Sequence, residues 1–265
     1  MTEKRAIGFF DSGWGGLSIM KTAREMLPLE DFIYVADCGY APYGDQTHEF
    51  IVERARKIAS FLFDEKQVKA LVIACNTATA EAIDTLRQER PESIIIGVEP
   101  AIKPAVNLSK NKCIGMISTT RTAHSARYLS LVKRFGHNAR ILSVGCPGLM
   151  DCVEAGEFET EATQKLLHRY LDNLIKAGID TLVLGCTHYP FLTSCIRSIV
   201  GPEVLIYEPS PAVAKHLKDR LHAAHALSEN QEGKEIFYVS GFNEQRKSVA
   251  VRLWGSSTLF KNLIV

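Results

Sequence analysis

Short apolar runs alternate with longer amphipathic stretches along most of this chain. Leu71-Val72-Ile73-Ala74-Cys75-Asn76-Thr77 is apolar until it breaks at a cysteine and two small polar residues. Leu182-Val183-Leu184-Gly185-Cys186-Thr187-His188 repeats the pattern 111 residues later. A continuous apolar run that stops this abruptly reads as a buried parallel strand reaching its C-terminal end. Open α/β sheets bind their ligands just beyond such ends. Two thiols at matching places therefore become the first candidates for chemistry.

The flanking pattern predicts the remaining elements. Ala6-Ile7-Gly8-Phe9-Phe10 reads as a strand that runs into Asp11-Ser12-Gly13-Trp14-Gly15-Gly16 and then a helix over 17–26, with Leu17, Met20, Ala23 and Leu27 on one face. Asp11 or Ser12 is placed to cap that helix, and free backbone N–H groups there make an anion site. This is not the dinucleotide fingerprint, because Ser18 stands where its last glycine belongs. Strands follow at 32–37 and 94–98, with helices at 47–66 and 79–88 and a Pro/Gly loop at 39–44 between them.

The second half restarts with a strand at 112–117 ending in Ser118-Thr119-Thr120, then a helix at 123–135, a strand at 139–144 and the loop Cys146-Pro147-Gly148. A helix at 161–177 leads into the Cys186 strand, and 205–207 forms the last strand of this half. Glu208-Pro209 mirrors Glu99-Pro100. The recurrence implies an internal duplication and an α/β fold of two pseudo-symmetric domains, each a mainly parallel sheet flanked by helices on right-handed crossovers. The first domain is expected over 1–98 plus 209–265, carrying Cys75, and the second over 99–208, carrying Cys186. A helix at 211–226, a polar loop at 228–234, a strand at 236–239 and a helix ending near Trp254 return the chain to the first domain. The tail from Leu259 to Val265 is apolar enough to pack on something.

Composition narrows the function classes. A net charge of +1 with scattered lysines and arginines offers no basic concentration for nucleic acid or an anionic membrane. No run has the length of a transmembrane span, and the N-terminus lacks a signal-peptide core. Seven cysteines without a CxxC fit a reduced, cytoplasmic protein better than a disulfide scaffold. Cys38, Cys113, Cys152 and Cys195 read as small core residues, while Cys146 lies in a loop facing the expected cleft. His216, His222 and His225 fall in a charged helical region and are expected to face solvent. Neither paired His/Cys metal spacing nor a P-loop is present, so no metal or cofactor is expected.

Cys75 and Cys186 differ from the other cysteines in being followed by donors, Asn76 and Thr77 in one case and Thr187 and His188 in the other. Such donors, with the N-terminus of the next helix, stabilise a thiolate and bind a carboxylate. Two facing half-sites would put one thiol on each side of a small bound molecule, with the sulfurs about 7 Å apart. That arrangement suits removal of a proton from one face and its return to the other.

These residues carry a family resemblance. Asp11-Ser12-Gly13-Trp14-Gly15-Gly16-Leu17-Ser18, Pro42-Tyr43-Gly44, Ala74-Cys75-Asn76-Thr77-Ala78 and Gly185-Cys186-Thr187-His188-Tyr189-Pro190 resemble, in order, the motifs of the cofactor-independent aspartate/glutamate racemase superfamily, and within it the glutamate racemases. The resemblance implies interconversion of L- and D-glutamate, a supply of D-glutamate for peptidoglycan, and a homodimer acting on a small-molecule substrate. It assigns Cys75 and Cys186 as the two catalytic thiols, the first acting on the D-enantiomer and the second on the L-enantiomer. Asp11 matches the acid beside the first thiol, His188 the imidazole beside the second, and Glu154 a further acid of the second half-site. Ser12, Tyr43, Gly44, Asn76, Thr77 and Thr187, with Asp11 and His188, match substrate-binding positions. The chain departs from the pattern at Asp37-Cys38-Gly39-Tyr40-Ala41, at Ser118–Thr122, at Asp151-Cys152 and after Gln245. A superfamily isomerase acting on aspartate would share both cysteines, and a thiol redox switch would instead pair Cys75 with Cys186 in a disulfide.

Overall fold

The computed structural model describes residues 4–255 and 259–265. Its first stretch runs β1 (Ile7–Asp11), α1 (Leu17–Met26), β2 (Phe32–Ala36), α2 (His48–Ser60), β3 (Ala70–Ile73), α3 (Asn76–Glu89) and β4 (Ile94–Gly97). The middle stretch adds α4 (Ile102–Leu108), β5 (Cys113–Ser118), α5 (Thr120–His124), α6 (Ala126–Phe135), β6 (Arg140–Gly145) and α7 (Leu149–Glu154), and continues with α8 (Glu161–Lys176), β7 (Thr181–Leu184), α9 (Thr193–Val200) and β8 (Leu205–Tyr207). The chain closes with α10 (Ser210–Ala223), β9 (Glu235–Val239), α11 (Glu244–Trp254) and β10 (Leu259–Asn262).

The strands form two parallel sheets, ordered β10-β9-β2-β1-β3-β4 and β6-β5-β7-β8. Within each, the four duplicated strands lie in the order second, first, third, fourth. The chain therefore reverses direction across the sheet beside β1 and again beside β5, and a crevice opens where successive helices go to opposite faces. Asp11 ends β1, while Cys75 and Cys186 follow the third strand of each sheet, so both thiols stand at that crevice. β1, β2, β3 and β7 are buried along their whole length, as runs of Ile, Val, Leu and Phe covered on both faces require.

The helix expected over 17–26 forms with those bounds and buries Leu17, Met20 and Ala23, with Leu27 just beyond its end. It packs on α10, which buries Val213, Ala214, Leu217 and Leu221. The expected strand of the last segment, β9, pairs with β2 and so extends the first sheet, and the apolar tail becomes the edge strand β10, with Leu263 buried beyond it. One continuous apolar core joins Trp14 and Leu17 to Leu149, Val153 and Leu184 across the two sheets. Among the described residues no helix is long and apolar enough to cross a membrane.

Several boundaries differ from the pattern-based expectation. The helix expected over 47–66 is α-helical only to Ser60, after which Phe61–Glu65 forms a π turn closed by the Lys66 N–H on the Phe61 carbonyl. The helix expected from Thr79 begins at Asn76, because Cys75 itself is its N-cap. The helix expected over 123–135 is two helices, since Thr119 caps α5 and Ser125 caps α6 through their hydroxyls. α4, α7 and α9 have no counterpart in the expected elements. They are six to eight residues long, and so short a helix leaves little periodicity to read.

Candidate active site

β3 carries the first thiol to the crevice and α3 starts directly behind it. The Cys75 sulfur accepts the Ala78 N–H at 3.4 Å and lies 3.6 Å from the Ser12 hydroxyl. Burial, with the charge of Asp11 next, pushes the Cys75 thiol up to about 12. It is therefore a protonated thiol at neutral pH, with two donors ready for the thiolate it becomes on losing its proton. Asp11 is fully buried. Its Oδ1 accepts the Gly13 N–H at 2.7 Å and its Oδ2 accepts the Thr187 hydroxyl of the other half-site at 2.9 Å. The structure thus gives Asp11 a turn-forming role and a cross-cleft partner rather than the helix cap, which falls to Gly16. Burial pushes its carboxyl up to about 6 against the lowering pull of His188.

The second thiol has different company. His188 Nδ1 lies 3.7 Å from the Cys186 sulfur, and His188 Nε2 lies 2.8 Å from Glu154 Oε1. The Gly15 N–H also approaches Nε2, at 3.2 Å, but a nitrogen cannot accept from Gly15 while donating to Glu154. The short contact with a carboxylate puts the proton on Nε2, which leaves Nδ1 to share a proton with Cys186. Burial alone would favour neutral His188, yet Cys186 and Glu154 raise it well above the ordinary imidazole value. Glu154 reaches this position from α7, where Leu149, Met150 and Val153 supply the buried face. The unusual Asp151-Cys152 pair sits on the outer side of α7, exposed and half-buried, so it costs the core nothing. Glu154 is itself held by the Trp14 N–H at 2.6 Å and the Cys38 thiol at 3.7 Å.

The glycine-rich turn after β1 makes this approach possible. A Cβ on Gly13 would lie 2.2 Å from Glu154 Oε1, and one on Gly15 would lie 2.3 Å from His188 Nδ1. Only backbone fits between the two half-sites here.

Cys75 and Cys186 line one small, partly open pocket with about 10 Å³ of free space, room for about one water, together with Ser12, Tyr43, Gly44, Asn76, Thr77, Thr187 and His188. Asp11 and Glu154 stand behind that wall and touch it through Thr187 and His188. Two further lining residues, Thr119 and Met150, were not among the expected positions. Thr119 joins Thr77 and Thr122 in a triangle of hydroxyls 3.0 to 3.2 Å apart that bridges the two sheets. The loosely matching threonine loop at 118–122 gave a signal, but its hydroxyls gain meaning only when α3 is brought against them. Both polar atoms of the Asn76 side chain are buried on the cavity without a protein partner. A buried amide left in that state is a recognition group for a polar ligand. Cys38, Cys113 and Cys195 are buried as expected, although Cys38 also touches Glu154, and Cys152 is half-buried. Cys146 is buried behind the cavity with its thiol on the Val144 carbonyl. His216, His222 and His225 are exposed. Among the described residues no group of three or more His, Cys, Asp or Glu side chains is arranged to hold a metal ion.

Known proteins share this sequence and fold. A family model described as Asp/Glu/hydantoin racemase matches residues 18–217. The chain is 41% identical over 258 residues to a glutamate racemase of Pseudomonas putida, covering 97% of each chain. Its structure resembles a glutamate racemase isoform of Bacillus anthracis with a TM-score of 0.91 at 31% identity, covering 99% of this chain and 98% of that one. It also resembles a Francisella tularensis glutamate racemase solved with D-glutamate, with a TM-score of 0.87 at 31% identity over 99% and 98% of the two chains.

Proposed function

The chain belongs to the Asp/Glu/hydantoin racemase family, and from that premise we propose that it interconverts L- and D-glutamate by proton transfer between two cysteines. In one direction the Cys186 thiolate, paired with His188, takes the α-proton of L-glutamate: the Cα–H bond breaks and an S–H bond forms. The Cys75 thiol gives its proton to the opposite face, and D-glutamate results. The reverse reaction exchanges the two roles. The observation that carries this reading is the pair of thiols lining one small pocket in unlike surroundings, one buried beside Asp11 and the other beside a His188 imidazole paired with Glu154.

An α-proton is a very weak acid, so the developing carbanion has to be stabilised by donors already in place and shielded from water. Ser12, Asn76, Thr77 and Thr187, with Tyr43 and Gly44 closing the wall, supply such donors in a buried site. Asp11 acts through Thr187 and its charge on the Cys75 side, and Glu154 acts through His188 on the Cys186 side. The glutamate carboxylates and ammonium are the natural partners for the unpaired Asn76 amide. The proposal includes supply of D-glutamate to peptidoglycan synthesis, a cytoplasmic homodimer, and the division 1–98 with 209–265 against 99–208 as the bodies that hold the two thiols. Seven free cysteines are consistent with a reducing compartment.

The purified protein, with nothing added, is expected to racemise glutamate from either enantiomer in D₂O and to place one deuterium at Cα of the product enantiomer. Cys75→Ala and Cys186→Ala are each expected to abolish turnover while keeping the native circular dichroism. Substantial racemisation by either variant, or product without deuterium, would refute the two-thiol mechanism. Faster turnover of aspartate than glutamate would overturn the substrate assignment.

A further inference from the structure

Tyr43, on the cavity wall, belongs to a buried network that the reaction does not itself use. Its hydroxyl donates to Asp37 Oδ2 at 2.5 Å. Asp37, at the end of β2 and fully buried, is gripped by Arg54 of α2, with Nε on Oδ2 at 3.0 Å and Nη2 on Oδ1 at 2.8 Å. The Ser240 hydroxyl, at the end of β9, donates to the same Oδ1 at 2.8 Å and accepts the Gly39 N–H at 2.9 Å. Arg54 Nη1 donates to the main-chain oxygen of Val265, just beyond β10, and the guanidinium lies 3.9 Å over the Tyr40 ring. Burial, with Asp37 beside it, pushes the Tyr43 hydroxyl well above its ordinary value, so it stays a donor.

A buried ion pair of this kind is a poor source of net stability, because desolvation offsets most of its attraction. What a forked, fully hydrogen-bonded pair supplies is geometry. Asp37 can anchor Tyr43 only while its own orientation is fixed, and Arg54 and Ser240 fix it from two different elements. Tyr40 lies in the stretch 37–41 that departs from the family motif, directly before the matching Pro42-Tyr43-Gly44.

Resting on the racemase reading above, the geometry points to Arg54 as a positioning residue for substrate binding. Acting with Ser240 through Asp37, it sets the place of Tyr43 on the cavity wall and ties that wall to the strand pair β9–β10. The last strands of the chain thus serve the site rather than only the sheet edge.

A double-mutant cycle tests this. Tyr43 carries no transferred proton, so its displacement removes binding common to ground and transition states and appears in KM. Arg54→Lys keeps the charge and loses the fork. It is expected to raise KM for glutamate about tenfold with kcat within about threefold, the loss expected for one charged hydrogen bond. Ser240→Ala should raise KM about two- to threefold in the same way. In a Tyr43→Phe background each should change KM by less than about twofold, since its route to the cavity is already cut. Amide exchange over residues 38–46 should quicken in Arg54→Lys, with or without substrate. Equal KM effects in both backgrounds, or unchanged exchange over 38–46, would overturn the inference. Absence of glutamate turnover in the unaltered protein would instead sink the racemase reading and leave the exchange measurement to decide on the network.

Discussion

Replacing His188 by Asn removes the imidazole that shares a proton with Cys186 at 3.7 Å and pairs with Glu154 at 2.8 Å, while keeping a polar side chain of nearly its reach. The site is 1% exposed at His188, so water does not take over the missing bond. Hydrogen bonds to charged groups are worth about 1.5–3 kcal/mol, which sets the expected fall in kcat/KM at roughly 10- to 150-fold. Enantiomers have equal free energies in an achiral solvent, so the equilibrium constant is unity and this fall must be the same in both directions. The asymmetry of the damage has to be sought in the isotope effect instead. Slowing transfer between Cys186 and Cα makes that step more rate-limiting. The α-deuterium effect should therefore grow when L-[2-²H]glutamate is the substrate and fall toward unity for D-[2-²H]glutamate, whose deuterium goes to Cys75. Circular dichroism on each deuterated enantiomer reads both rates. Glu154→Gln alone should cost less, and in the His188→Asn background less than about twofold, because it acts through the imidazole. A deuterium effect that rises equally for both enantiomers, or a Glu154→Gln penalty undiminished by loss of His188, would refute the assignment of His188 to Cys186.

Two further substitutions probe the walls behind the thiols. Asp11 is held at about 6 in the folded chain against 3.8 unfolded, so its contribution to stability is largest below pH 4 and is lost as pH rises through 6, reaching about 3 kcal/mol at pH 8. Asp11→Asn should therefore gain thermal stability over the native protein progressively from pH 4 to pH 8 while losing the acid limb of kcat/KM near pH 6. A pH-independent stability difference would contradict the buried-carboxylate account. Gly15→Ala would put a methyl carbon 2.3 Å from His188 Nδ1 and 2.6 Å from Thr187 Oγ1, so the ring must shift. A stability loss of about 1–3 kcal/mol in urea unfolding and at least a tenfold fall in kcat/KM are expected, and a variant with native rates would show that the turn is looser than drawn.

Much of this arrangement was legible from local pattern. The repeated strand-cysteine segment announced both sheets and both thiols, since a buried parallel strand has to be continuously apolar and has to end somewhere polar. The glycine-rich turn reads as a helix cap and anion site, whereas the structure shows that its glycines make room for Glu154 and His188. The pairing of side chains was much less legible. The family resemblance pairs Asp11 with Cys75, and the structure adds a hydroxyl partner, Thr187, 176 residues away. Such partners meet only when two separately readable halves close on each other, and nothing in either half encodes the other's register. Arg54 was invisible for a related reason. On a helix it looks like any solvated arginine, and only the convergence of β2, β9 and the tail on its guanidinium gives it a purpose.

The same closure explains why a duplicated fold can carry unlike half-sites. If the chemistry required equal rates of binding and proton transfer for the two enantiomers, a difference as large as a thiol held near 12 on one side and a Cys–His–Glu arrangement on the other would be a handicap. It requires no such equality. With an equilibrium constant of unity, only kcat/KM is constrained to match, and kcat and KM are free to differ in the two directions. On the two-cysteine mechanism proposed above, what each direction does need is one proton on one sulfur and none on the other. Two identical half-sites would leave that state degenerate, with both thiols protonated at neutral pH. Pairing one thiol with an imidazolium and burying the other beside the Asp11 carboxylate removes the degeneracy, which is what the proposed proton transfer needs in order to begin with L-glutamate.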